Sequence, residues 1–321
     1  MKFRTEIEIA PFKVKIGYEN RILALGSCFA EQIAAQLSRL KFSVTTNPSG
    51  ILFNPLSIAA TLHSYLQPTP VQRHELHHND QGWFHYGFHS DFSQTDPEQA
   101  LEVMNAARQA GANALRAADR VVITFGTAWV YEHNGEVVAN CHRQPSTAFV
   151  RRRLSVSQIV ETFAELFESA LADKQIILTI SPVRHIGDQL QGNAVSKATL
   201  RLAAEELATR YEAVNYFPAY EILLDDLRDY RFYADDLVHP SEQAVAYIWE
   251  KFAATALSEQ AQRLLPDVER IVTAAAHRPR NVKSEAYRHF CRNQLTQIDA
   301  LSGIDFGIEE EYFRRCSEII L

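Results

Sequence analysis

The chain has 321 residues, 46% hydrophobic and 22% charged, with 32 Lys and Arg against 39 Asp and Glu for a formal charge of −7. Such a chain can bury one sizeable α/β core with a smaller appendage. Its acidic balance argues against a nucleic-acid surface, which needs clustered Lys and Arg, and no stretch is apolar for long enough to span a membrane.

The opening MKFRTEIEIAPFKVKIGYEN alternates polar and apolar residues and lacks the apolar core of a secretory signal. Apolar runs at 21–25, 120–125, 175–180 and 213–217, with a weaker one at 42–46, read as strands. Between them, segments 31–40, 56–66, 98–118, 157–172, 194–210 and 242–257 read as helices. One start is explicit: Asp96 caps and Pro97 occupies the first turn. Continuous apolar strands alternating with helices predict a doubly wound, parallel α/β domain. Residues 67–95 interrupt the alternation as a polar, aromatic, His-rich insertion. Asn134-Gly135 within 132–138 signals a hairpin. Arg151-Arg152-Arg153 reads as a solvated loop or helix start. From 258 onward the pattern is wholly helical, so we expect an α/β domain over 1–257 and a helical extension over 258–321. Cys28, Cys141, Cys291 and Cys316 form no CxxC pair and are expected as thiols, which suits a reducing, cytoplasmic setting.

Two places carry chemistry. In LALGSCFAEQIAAQL, Ser27 follows the first strand at a helix start, where Gly26 permits a sharp turn and free N–H groups can stabilise an anion. Ser27 is either a plain N-cap or a nucleophile. In YRFYADDLVHPSEQ, Asp236 and His239 stand three apart before the last helix of the domain. Their carboxylate and imidazole can pair, orienting one ring nitrogen toward a nucleophile. Both segments fall at carboxyl ends of strands, where open α/β sheets bind ligands.

These blocks, with Gly26-Ser27-Cys28-Phe29-Ala30 read letter for letter, resemble the GSCFA family within the SGNH (GDSL-like) hydrolase superfamily. NPSGILFNP, TFGTAWVYE, NCHRQP, SPVRH and SKATLR strengthen the likeness over about residues 20–255. The resemblance implies a three-layer α/β/α flavodoxin-like sandwich with a five-stranded parallel sheet and an ester-cleaving serine hydrolase needing no cofactor. Ser27 matches its nucleophile, His239 its base and Asp236 the orienting acid, with Asp235 one position off. Ser27 N–H and Gly50 N–H match two oxyanion donors. The third block, usually Gly-x-Asn, reads Gly126-Thr127-Ala128 here. Asn140 is the first substitute, ahead of Thr127 and Asn47; its plainer role is a turn residue bonding its own backbone.

Trp83, Thr127 and Arg184 are candidate substrate contacts, Trp83 within an aromatic flap and Arg184 either on a substrate anion or in a structural pair. Rival readings are Cys28 as nucleophile and a Zn²⁺ site among His74, His77, His78, His85 and His89 with Asp80 or Asp91, unsupported by any HExxH spacing. Ser38-x-x-Lys41 matches SxxK by letters but sits at a helix end. The expected substrate is a small-molecule or carbohydrate-type ester, possible acyl groups including acetyl; the alternatives are an acyltransferase or a catalytically silent binder.

Overall fold

The computed structural model of the chain describes residues 4–318. Five parallel strands form the central sheet: β1 (Arg21–Gly26), β2 (Ser43–Thr46), β5 (Arg120–Phe125), β9 (Gln175–Ile180) and β10 (Val214–Phe217). They lie in the order β10-β9-β5-β1-β2, the flavodoxin-like doubly wound order. Two small antiparallel sheets sit apart from it. One pairs β3 (His77–Asn79) with β4 (Gly82–Phe84); the other orders β7 (Glu136–Val138), β6 (Trp129–His133) and β8 (Val150–Arg153).

Alternation along the strands builds the layers. Ile22 and Ala24 of β1, Val122 of β5 and Ile177 of β9 join one apolar cluster with α1 (Cys28–Arg39) and α7 (Glu242–Ala256). Leu23, Leu25, Val121, Ile123, Ile176 and Leu178 point the other way. They pack against α2 (Pro55–Leu66), α3 (Pro97–Ala117), α4 (Val156–Glu168) and α5 (Gln189–Arg210). The result is a three-layer sandwich. A short α6 (Ala219–Glu221) runs into a π-helical turn, Ile222–Leu227, before α7.

Three further helices, α8 (Glu259–Ala276), α9 (Glu285–Asp299) and α10 (Gly307–Ser317), cover the α1/α7 face. Val268, Ile271, Tyr287, Cys291, Ile298 and Phe313 join the same apolar cluster as Ile33 and Leu37 of α1. Lys41 Nζ lies 2.6 Å from Glu309 Oε2 across this contact. The lysine of the SxxK-like run is thus a packing cation. No described helix is long and apolar enough to cross a membrane.

Most expected elements form within a few residues of their predicted ends. Asp96 accepts hydrogen bonds from Glu98 and Gln99 N–H as the α3 cap, and Asn134-Gly135, both at positive φ, turns the β6–β7 hairpin. The Arg151–Arg153 run corrects the sequence reading, because it forms β8, paired to β6. Arg151 stacks on Trp129 and Tyr131 and pairs with Asp188, while Arg152 Nε donates to Glu132 Oε1 at 2.7 Å. Aromatic and acidic neighbours across the sheet make an arginine run compatible with a strand.

The chain reverses after β1 at Gly26, whose φ is +129°. A Cβ there would lie 2.1 Å from the Thr124 carbonyl oxygen of β5. Neither the dihedral nor the contact admits a side chain. Gly26→Ala is expected to lower unfolding free energy by about 3 kcal/mol or more, a loss that urea denaturation would register as a reduced midpoint.

Candidate active site

Ser27, the first residue beyond β1, has extended dihedrals and caps α1. Its Oγ accepts from Phe29 N–H at 3.3 Å, and the residue is only 1% exposed. The plainer cap reading therefore describes this geometry, and the hydroxyl bonds that N–H instead of the His239 imidazole. Ser27 N–H donates to Thr124 O at 3.3 Å, and Gly50 N–H donates to Asn47 O at 2.8 Å. Both expected oxyanion donors are thus engaged with main-chain carbonyls. The tight turn after β2 explains Gly50: its φ is +86°, and a Cβ would fall 2.2 Å from His89 Cβ. Asn47 is structural as well, accepting from Gly26 N–H and donating to Glu31.

The Asp236–His239 loop forms the pair expected of it. Asp236 Oδ1 accepts the N–H groups of Val238 and His239, and Oδ2 lies 2.6 Å from His239 Nδ1. The carboxylate fixes the proton on Nδ1 and leaves Nε2 as the free ring nitrogen. These backbone and ring donors hold the Asp236 carboxyl well below its ordinary range, at about 2, with His239 N–H the largest cause. The imidazole is 44% exposed.

Arg184 secures this loop from the end of β9. Its N–H donates to Val238 O at 3.1 Å, its guanidinium carbon lies 3.8 Å from the Tyr233 ring centre, and Nη1 reaches Leu237 O at 3.4 Å. The structure supports the structural reading of Arg184 over the substrate contact, because its planar face lies on Tyr230 and Tyr233 and Nη1 reaches a main-chain carbonyl.

Sequence reasoning assigned no roles to α5, yet its inward polar face holds the rim. Asn193 Oδ1 accepts His185 N–H at 3.0 Å. Ser196 Oγ accepts Ala128 N–H at 2.8 Å and lies 3.1 Å from Thr127 Oγ1. Lys197 Nζ donates to Gly126 O and Ser181 O, each at 2.7 Å. All three α5 side chains are buried. Their i, i+3, i+4 spacing was the available signal: polar residues on a buried helix stripe need partners.

Beside these loops opens a cavity of about 350 Å³, lined in part by Phe53, Thr127, Trp129, Asn140, Arg151 and His185. Its tryptophan is Trp129. Trp83, the expected contact, does not line it; the indole packs on His78 and Arg73 while its backbone pairs with Gln94. Asn140 accepts His142 N–H on Oδ1, the turn geometry of the plainer reading, and still lines the cavity. Cys28 packs against the core, and burial followed by the Glu31 charge pushes its thiol pKa up, away from nucleophilic reactivity.

The insertion's histidines are spread through aromatic packing. His77 stacks on Phe84 and packs at a tilt against Tyr86, and His85 Nδ1 accepts Gly87 N–H. Among the described residues no group of three or more His, Cys, Asp or Glu is placed to hold a metal ion.

Burial pushes His85, His142 and His185 each down to about 4 from 6.5. Their folded values are depressed, so the neutral rings stabilise the fold above pH 6.5 and that contribution is lost as pH falls toward 4. Thermal melts over this window are expected to show a falling midpoint, with ring signals of the three histidines staying neutral in NMR spectra down to about pH 4. A second titration isolates the pair. In His239→Ala the Asp236 carboxyl is expected to titrate above its native value of about 2, because the ring donor is removed while two backbone donors remain; carboxyl ¹³C shifts read this directly.

The family described as "GSCFA family" matches residues 21–252, which contain the Ser27 turn, the α5 face and the Asp236–His239 loop. The description "GSCFA domain protein, C-terminal domain" matches residues 268–318, from the second half of α8 through α10. No curated protein and no solved structure matches the chain. With that first match spanning well over half its length, the chain belongs to the GSCFA family.

Proposed function

We propose that this protein is a serine hydrolase of the SGNH (GDSL-like) kind that cleaves an acyl ester through Ser27, His239 and Asp236. The observation that carries the reading is the Asp236–His239 pair, 2.6 Å apart on a loop fixed to the carboxyl rim of a parallel sheet. Such a pair presents a base with a defined tautomer and a free Nε2.

Ser27 reaches the reactive arrangement by leaving its cap. A capping bond contributes on the order of 1 kcal/mol, small beside the barrier of ester hydrolysis, and catalytic hydrogen bonds are often formed only with substrate present. The Ser27 hydroxyl then gives its proton to His239 Nε2 as Oγ bonds to the ester carbonyl carbon. His239 returns the proton to the departing alkoxide, which leaves as the alcohol. Water, deprotonated by the same nitrogen, releases the acid and restores Ser27.

Rotation of Ser27 also frees Phe29 N–H, at the positive end of α1, for the oxyanion. Asn140 contributes its amide N–H groups from the cavity wall. These donors replace the missing Gly-x-Asn asparagine and the two N–H groups already engaged. The cavity lined by Phe53, Trp129 and Asn140 is our candidate substrate pocket, although Ser27, Asp236 and His239 are not among its lining residues. A carbohydrate-type ester, with acetyl as one candidate acyl group, rests on superfamily analogy. An acyltransferase would use the same acyl-enzyme with an alcohol in place of water.

The buried, capped state of Ser27 favours a second reading, a binding protein that retains the fold without turnover. A fluorophosphonate probe and p-nitrophenyl acetate separate the two. A hydrolase is expected to label at Ser27 and to lose about 10³-fold or more of its turnover in Ser27→Ala and His239→Ala, and about 10²–10⁴-fold in Asp236→Asn. Wild-type turnover retained by Ser27→Ala would falsify the nucleophile assignment, and a wild type inert to both reagents points to the binder.

A further inference from the structure

Lys197 is 1% exposed, in the middle of α5, and among the described residues it forms no ion pair with a carboxylate. Burying an ammonium without a counter-ion is costly, and an apolar side chain of similar volume would avoid that cost. What Lys197 does instead is specific. Its Nζ donates to Gly126 O and Ser181 O, the first residues beyond two adjacent strands, β5 and β9. These carbonyls lie where the ladder ends and a sheet loses its own partners. Gly126 leads to Thr127 and Ser181 leads to His185, both on the wall of the cavity.

The groups around the ammonium come from each neighbouring element. Cys28 faces it from the start of α1, the Tyr220 ring lies 5.6 Å away on α6, and His185 feels its charge from the β9 loop. Glu31 acts on Cys28, and His239 acts on His185. The Lys197 charge therefore acts on Cys28 in the first turn of α1 and on His185 in the loop after β9.

We infer that Lys197 is a positioning residue for the reaction at Ser27: its ammonium, clamped between the Gly126 and Ser181 carbonyls, sets the two loops that carry Thr127 and His185 and adds positive charge to this rim of the sheet. The inference rests on the hydrolase reading. It adds a residue to which the catalytic steps assign no role and which touches no substrate. Burial brings Lys197 down to about 7 from 10.5. The clamp is thus charged below that pH and loses its charge above it, giving the rate a falling alkaline limb.

The experiment compares wild type, Lys197→Met and Lys197→Arg in p-nitrophenyl acetate hydrolysis across neutral pH, alongside the NMR titration of the His185 ring. Lys197→Met is expected to lower kcat about 10–100-fold with KM changed less than about twofold, to lack the alkaline limb, and to let His185 titrate at higher pH. Lys197→Arg keeps the charge, because a guanidinium stays protonated throughout this range. It is expected to hold kcat within about tenfold of wild type while the alkaline limb moves out of reach.

Wild-type kcat with an unchanged alkaline limb in Lys197→Met overturns the inference. If that variant does not fold, an unshifted limb in Lys197→Arg overturns it. If wild type shows no turnover, the hydrolase reading fails first. The clamp is then judged by the ring alone, and a His185 titration unmoved in Lys197→Met overturns it.

Discussion

The rim of this sheet depends on one set of hydrogen bonds, from the buried polar stripe of α5 to the backbone where β5 and β9 end. A parallel sheet satisfies its main chain strand to strand, and at its carboxyl edge that supply stops. Asn193, Ser196 and Lys197 take over there, bonding His185 N–H, Ala128 N–H and the carbonyls of Gly126 and Ser181. Each side chain is shielded from water, so a missing partner would leave a desolvated polar group costing about 1–3 kcal/mol. The same bonds that close the core therefore shape the cavity wall.

Ser27 is held by the opposite logic. The residue that ends β1 must turn sharply, which Gly26 makes possible, and must begin α1, which its own hydroxyl makes favourable. A serine placed this way is a good cap and, on our reading, a nucleophile in waiting. The cap bond is 3.3 Å long, so little is lost when the hydroxyl turns to another partner. Structural and chemical uses of the residue are compatible because the first is weak.

The Asp236–His239 loop shows a firmer arrangement. Its carboxylate accepts two main-chain N–H groups as well as the ring, and Arg184 clasps the far side through Val238 O and two tyrosine faces. A base carried on a loop gains a fixed direction only if the loop itself is tied down. Here the anchor is Arg184 in the loop after β9, so the pair is tied directly to the loop that carries His185.

What the amino-acid sequence determined by itself is local. Apolar runs specify strands because alternate side chains face two covered layers; Asp96-Pro97 and Asn134-Gly135 specify a helix start and a hairpin through their own backbone preferences. Asp236 finds His239 because three residues of loop suffice to bring them together. Tertiary structure decided everything that needs a distant partner. Arg151–Arg153 became a strand only because β6 lay alongside, and Trp129 instead of Trp83 reached the cavity because β6 follows directly from the β5 rim. The Ser27 and Gly50 N–H groups were claimed by carbonyls of Thr124 and Asn47, and Lys197 found its two acceptors on separate strands. A side chain's spacing announces that it is buried and polar, but the group that answers it is chosen when the layers close.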